Sequence, residues 1–158
     1  MNDNLTEIQK NLNDDERPVF TIGVVADMIG MSVHTLRLYE SSGLILPHRT
    51  ESQHRLYSRT DVERLHYIRY LMEVIGLNIA GIKAQLSLIP CWNIKKCSSE
   101  DRQHCDAFKS ITEPCWIVKN KGGICKEEDC RLCTIYGNLE PFSNLKSFLK
   151  KTVYEVID

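Results

Sequence analysis

Cysteine is missing from everything ahead of Cys91, and seven cysteines then follow between Cys91 and Cys133 of this 158-residue chain. The N-terminal part therefore has no thiolate or disulfide support and must rely on helix packing. The tail is loop-rich and poor in aliphatic residues, so it needs the cross-linking that its cysteines can supply. A surplus of basic charge is missing too. With Lys and Arg totalling 20 against 21 Asp and Glu, the formal net charge is -1, which excludes a generally basic protein and leaves nucleic-acid contact to a local patch.

No apolar run approaches membrane-spanning length. Met1 to Arg17 is polar, with Asp14, Asp15 and Glu16 where the hydrophobic stretch of a signal peptide would have to be. The expectation is a cytoplasmic protein without a membrane partner. In a reducing cytosol, clustered cysteines bind metal or cycle their redox state rather than sit in permanent disulfides, and an odd number cannot pair completely. Lysine is absent between Ser32 and Tyr70, where every cation is an arginine: Arg37, Arg49, Arg55, Arg59, Arg64 and Arg69. The planar guanidinium suits phosphates and guanine edges better than a point charge does.

Pro18 marks the end of a lead-in expected to be disordered. Thr21 can cap a helix through Ile29 with Val24, Val25 and Met28 inward; Gly30-Met31 supplies a tight turn, and Ser32 caps a second helix to about Glu40. Val33 and Leu36 would face in and His34, Thr35 and Arg37 out, as in a recognition helix that presents its early residues to a DNA groove. After Gly43, Leu44 to Leu46 reads as a short strand returning through Arg55-Leu56-Tyr57. That hairpin is a wing, and its loop, His48 to His54, carries Arg49 toward the sugar-phosphate backbone. Ser58 to Asp61 is a capping box opening a helix with Val62, Leu65, Ile68, Met72 and Ile75 on one stripe. Gly76 stops it. Asn78 caps another helix through Ile79, Ile82, Leu86 and Ile89, which Pro90 closes.

Phe20 to Ala26, Thr35 to Glu40, Gly43-Leu44-Ile45, Arg55 to Ser58 and Asp61-Val62 stand in the order and spacing of the winged helix-turn-helix head of MerR-type transcription regulators. Gly76 to Lys83 resembles the heat-shock-repressor branch, and the likeness runs from Val19 to Leu88. It implies a homodimer on an inverted-repeat operator in double-stranded promoter DNA, acting on RNA polymerase indirectly by changing DNA shape. Residue by residue, it implies DNA contacts from Thr35, Arg37 and Tyr39 on the recognition helix and from Arg55 and Tyr57 on the wing. His54 stands where the family often has glycine, which could alter the loop's path or add a pH-sensitive phosphate contact.

The candidate metal ligands are Cys91, Cys97, Cys105, Cys115, Cys125, Cys130 and Cys133. Only Cys130 and Cys133 show the two-residue gap that lets one ion take both thiolates without strain. Cys91-Trp92 and Cys115-Trp116, with Cys130-Arg131-Leu132-Cys133 and Tyr136 behind, resemble a small bacterial module with two Cys-Trp motifs appended to signalling proteins. The tight four-cysteine string of the MerR family's iron-sulfur redox sensors is absent, so their cluster does not carry over. Four thiolates can hold an iron-sulfur cluster or a tetrahedral zinc, and metal-free thiol chemistry is a third possibility. His104, beside Cys105, could substitute as a ligand but reads better as solvated, and the two tryptophans read as the module's small core.

Phe142, Leu145, Leu149, Thr152 and Val156 are spaced as a heptad seam, which predicts a dimerising C-terminal helix or one packed on its own chain. The expected fold is mainly α: residues 1–17 as lead-in, a winged helix-turn-helix head over 18–89, a cysteine-rich module over 90–137 and an amphipathic helix over 138–158. The function this implies is a DNA-binding transcription regulator modulated by a redox or metal module. The alternatives are a heat-shock-type repressor with a purely structural zinc tail, or a thiol-redox or metal-carrying protein. An enzyme is not expected, since no catalytic base sits near a cysteine in sequence.

Overall fold

The computed structural model describes residues 14–154, so the first part of the expected lead-in and Val156 of the expected seam lie outside the described residues. The fold is mainly helical, and the chain divides into two compact units, residues 1–66 and residues 67–158. This division differs from the one expected at Pro90. It falls inside a helix.

In the first unit, helix α1 (Ile22–Ile29) buries Val25, Ala26 and Ile29, an i, i+1, i+4 face. Val24 and Met28, expected inward, are instead 46% and 47% exposed. The sequence offers two apolar stripes one residue apart, and packing selects the stripe that Ala26 and Ile29 share. Gly30 stops the helix at φ 63, a left-handed conformation in which its N–H reaches back to the carbonyls of Ala26 and Asp27. Helix α2 (Val33–Ser41) begins at Ser32, whose Oγ accepts the Thr35 N–H at 3.0 Å, and it buries Leu36 and Tyr39.

The sheet also departs from expectation. Leu44 and Ile45 are not a strand but two fully buried core residues after Gly43, whose φ of 81 turns the chain inward. The strands are β1 (Phe20–Thr21), β2 (His48–Arg49) and β3 (Arg55–Tyr57), antiparallel in the order β1-β3-β2. Arg49 faces Arg55 and Phe20 faces Tyr57 across the ladder. Thr21 makes no side-chain cap bond to α1; its backbone serves the sheet instead.

Helix α3 (Arg59–Glu73) is opened by the expected capping box: the Ser58 N–H donates to Asp61 Oδ2 at 2.8 Å and the Asp61 N–H to Ser58 Oγ at 3.1 Å. Val62, Leu65, Ile68 and Leu71 are buried, whereas Ile75 is exposed. The second unit continues with α4 (Ile79–Leu86), whose cap residue Asn78 accepts the Gly81 N–H at 2.7 Å. Short helices α5 (Cys91–Ile94), α6 (Ser99–Gln103) and α7 (Asp106–Lys109) follow, then 3-10 turns at Gly123–Lys126 and Cys130–Leu132, helix α8 (Thr134–Gly137) and helix α9 (Glu140–Tyr154). Such short pieces cannot hold themselves together by propensity, and their order comes from shared burial.

Helix α9 is not the uninterrupted heptad that was expected. Asn144 takes φ -156 and ψ 80, which breaks the helix, and its side chain recaps the second piece by accepting the Ser147 N–H at 2.9 Å. The buried residues are Phe142 and Phe148, and the latter is off the expected seam. α9 packs against α4 and α5 of its own chain.

Candidate nucleic-acid interface and thiol chamber

On the head, the cap at Ser32 fixes where α2 starts and therefore which residues its first turn presents. His34 and Arg37 are exposed; Thr35 is half-buried, with its hydroxyl 2.9 Å from Ser32 Oγ. Arg49 is exposed on β2 and Arg55 half-buried opposite it on β3. A carboxylate on α2 holds both. Glu40, whose side chain is 13% exposed, accepts Arg49 Nη2 at 2.6 Å and Arg55 Nε at 2.5 Å. The hydrogen bond to Glu40 is also the main reason the Arg55 guanidinium holds its proton more tightly than usual. The expected wing cations are thus fixed to the expected recognition helix before any partner arrives, which lowers the ordering cost of binding one.

Tyr39 and Tyr57 sit differently. Tyr39 is buried and Tyr57 fully so, and burial, with the Glu40 charge as the next cause, pushes the Tyr57 phenol up to about 12. The Tyr57 hydroxyl is buried without a hydrogen-bond partner among the described residues. Both rings support the helix and the wing from beneath rather than lying on the surface. His54 is exposed, and its backbone N–H is held by Thr50 Oγ1 at 3.1 Å.

In the second unit, six of the seven cysteines line one cavity: Cys91, Cys105, Cys115, Cys125, Cys130 and Cys133, together with Ala107, Trp116, Ile135, Lys121 and Glu128. The six thiols arrive on separate short segments. Cys91 opens α5, Cys105 precedes α7, Cys125 lies in the first 3-10 turn, and Cys130 and Cys133 flank the second, where the Cys133 N–H returns to the Cys130 carbonyl at 3.1 Å. The loop ahead of Cys125 is pressed onto α6. A Cβ added at Gly122 would lie 2.4 Å from the Asp101 carbonyl oxygen and 3.2 Å from Cys105 Cβ, so only glycine permits this approach. The Asp106 N–H donates to the Asn120 carbonyl at 2.9 Å and closes the same contact.

The chamber's electrostatics are uneven. Cys91 and Cys115 are hydrogen-bonded to each other; this bond lowers the Cys91 thiol and raises that of Cys115, as when Cys115 donates and Cys91 carries the charge. Burial, reinforced by Glu128, pushes Cys125 up to about 11. Lys121 Nζ donates to Cys130 Sγ at 2.7 Å. Lys95 Nζ is clamped on both oxygens of Glu128, at 2.6 and 2.7 Å, and interacts with Cys133 as well. Cationic donors therefore serve both cysteines of the close-spaced pair.

The cavity has a volume of about 30 Å³. Organic ligands occupy roughly 300–1,000 Å³, so this space suits ions or a small inorganic core. Among the described residues no three Cys, His, Asp or Glu side chains close around a single metal position; the thiols surround the space rather than converge on one point of it. Cys97 is half-buried but does not line the cavity. His104 is exposed, with its Nδ1 3.0 Å from the Glu100 carbonyl, which agrees with the solvated reading. Trp116 is core, stacked edge-on against Tyr136 at 5.4 Å, while Trp92 is half-buried and meets Phe108 edge-on at 5.2 Å.

Compared with known proteins, residues 20–88 match the model of the MerR HTH family regulatory proteins. The head belongs to the MerR family. A Streptomyces coelicolor protein bearing the heat-shock name HspR is 39% identical over 74 residues, 47% of this chain and 49% of the relative. The HTH-type transcriptional regulator GlnR of Bacillus anthracis is 42% identical over 77 residues, 48% of this chain and 59% of its own. The mercuric resistance operon regulatory protein of Bacillus cereus is 41% identical over 71 residues, 44% and 53% of the two chains. The match thus spans about half the length of each relative. It stops short of the cysteines.

Within the MerR head, sequence reasoning picked out the outward cations and missed the carboxylate that holds them. Glu40 had registered only as an opposing charge, and a lone acid at the end of a recognition helix facing two wing arginines is the signal that could have found it. Lys121 and Glu128 were missed without any comparable signal, because they reach the thiols only through loop geometry. No helix among the described residues is long and apolar enough to cross a membrane.

Proposed function

We propose that the chain is a DNA-binding transcription regulator that occupies an inverted-repeat operator as a homodimer and acts on RNA polymerase through the shape of promoter DNA. The observation that carries this reading is the MerR head itself, with His34, Thr35 and Arg37 on the first turns of α2 and Arg49 and Arg55 locked beside them by Glu40. In this reading α2 reads base edges and the wing arginines contact the backbone. The thiol chamber is the input: a soft metal or iron-sulfur centre held there changes the balance between two forms of the dimer that differ in affinity for DNA.

The test starts with selection from randomised duplexes, followed by binding isotherms on the selected sequence. An inverted repeat should emerge. Arg37→Ala should weaken binding by more than ~1 kcal/mol and relax one position of the site, whereas Arg55→Ala should weaken all sequences alike. An Arg37→Ala variant with undiminished affinity would refute the assignment. Equal affinity of metal-loaded and metal-stripped protein, with the fold intact, would leave the chamber a structural tail.

A further inference from the structure

We infer that Cys91, Cys105, Cys115, Cys125, Cys130 and Cys133 together hold one polynuclear thiolate centre, with more than one soft metal ion per chain, and that Cys97 stands outside it. The inference deepens the proposed input role of the chamber and rests on it.

The first argument is number. A single tetrahedral ion takes four ligands, yet six thiols from separate segments are brought to one cavity. The second is pairing. Cys130 and Cys133 have the spacing at which one ion takes both thiolates, and Cys91 and Cys115 are in hydrogen-bond contact on other segments. These are two distinct grips. Cys105 and Cys125 line the same space and are available to complete or bridge the two.

Charge gives the third argument. Six thiolates around one divalent ion would leave a large negative excess in a wall that includes Ala107, Trp116 and Ile135, and such an excess is costly in apolar surroundings. More than one ion cancels most of it. Lys121 offsets part of the remainder by donating to Cys130 Sγ, an outer-shell bond of the kind that tunes metal affinity and redox potential. Iron bridged by sulfide and zinc bridged by thiolate share this ligand chemistry.

The deciding experiment is metal and acid-labile sulfide analysis of the full chain purified without oxygen, alongside Cys97→Ser, Cys115→Ser and Cys130→Ser. More than one ion per chain is expected in the parent and in Cys97→Ser, with at least half lost in the other two. Iron with sulfide would assign a sulfide-bridged core, and zinc without sulfide a thiolate-bridged one. One ion per chain or fewer in the parent, or a loss in Cys97→Ser as large as in Cys115→Ser, overturns the inference.

Since Cys115→Ser or Cys130→Ser could fail to fold, the unmutated metal-free chain is also titrated with Co²⁺. Thiolate-to-metal absorbance that rises beyond one equivalent supports the centre, and saturation at one equivalent refutes it. Lys121→Gln should keep the stoichiometry while weakening metal retention against a chelator by about tenfold; unchanged retention removes Lys121 from the centre. A loaded, polynuclear protein whose DNA binding ignores the metal would defeat the proposed function and leave this inference standing.

Discussion

Tyr57→Phe should stabilise the protein. The Tyr57 ring is fully buried and its hydroxyl has no hydrogen-bond partner; an unsatisfied buried polar group costs about 1–3 kcal/mol. Removing the oxygen leaves the ring in place and opens a void no larger than a methyl group, which costs about 1 kcal/mol. The expected net effect is a gain of about 1 kcal/mol, read as a rise of roughly 4–8 °C in the unfolding midpoint for a domain of this head's size. A second readout is independent of the first. Burial raises the Tyr57 phenol from 10 to about 12, so the unfolded chain sheds this proton near pH 10 while the folded chain keeps it until about 12. The unfolded state therefore binds fewer protons in that window and stability falls as pH rises. Phenylalanine has no such loss, and the advantage of the variant should widen between pH 10 and 12. A variant less stable than the parent by more than about 1 kcal/mol in urea unfolding would mean that the hydroxyl is satisfied and the reasoning wrong. If the hydroxyl serves DNA, as the family resemblance implies, the same variant will lose operator affinity while it gains stability.

Glu40→Gln should cost about 1 kcal/mol at low salt and less at high salt, because it removes two ion pairs whose arginines are partly exposed; a salt-independent loss in urea titrations would point to packing instead. Phe148→Ala should cost about 3–5 kcal/mol of second-unit stability and make the chain end protease-sensitive, whereas an unchanged proteolysis pattern would show that α9 is held by other residues. Metal-stripped protein should lose thermal stability as pH rises from about 9 to about 11, because unfolding frees Cys125 to ionise two units earlier than the folded state allows. Flat melting temperatures across that range would contradict the burial of this thiol.

Local signals were the legible ones. Ser32, Ser58 with Asp61, Asn78, Gly30 and Gly76 all act on backbone groups within a few residues of themselves, so their roles can be read in sequence order. What could not be read depends on distant partners. β1 has two residues and exists only because Tyr57 and Leu56 lie beside it, and the burial of Leu44 and Ile45 in the core outweighs their strand propensity. The stripe containing Val24 and Met28 was a reasonable helical face until packing chose the adjacent one. The candidate chamber was half visible: the cysteine count announced a centre, but spacing could not reveal that Cys97 turns away, that Lys121 turns in, or that Asn144 would interrupt the final helix.

The scatter of the chamber thiols along the chain also sets a timetable. Cys91 leaves the ribosome on the order of 2–8 s before Cys133 at ordinary elongation rates, and Gly122 cannot close against Asp101 and Cys105 until the intervening loop is made. During that interval the early thiols are on offer to any oxidant or stray ion, with the later ligands still unsynthesised. A newborn chain thus depends on the reducing capacity of its surroundings before it can report on them.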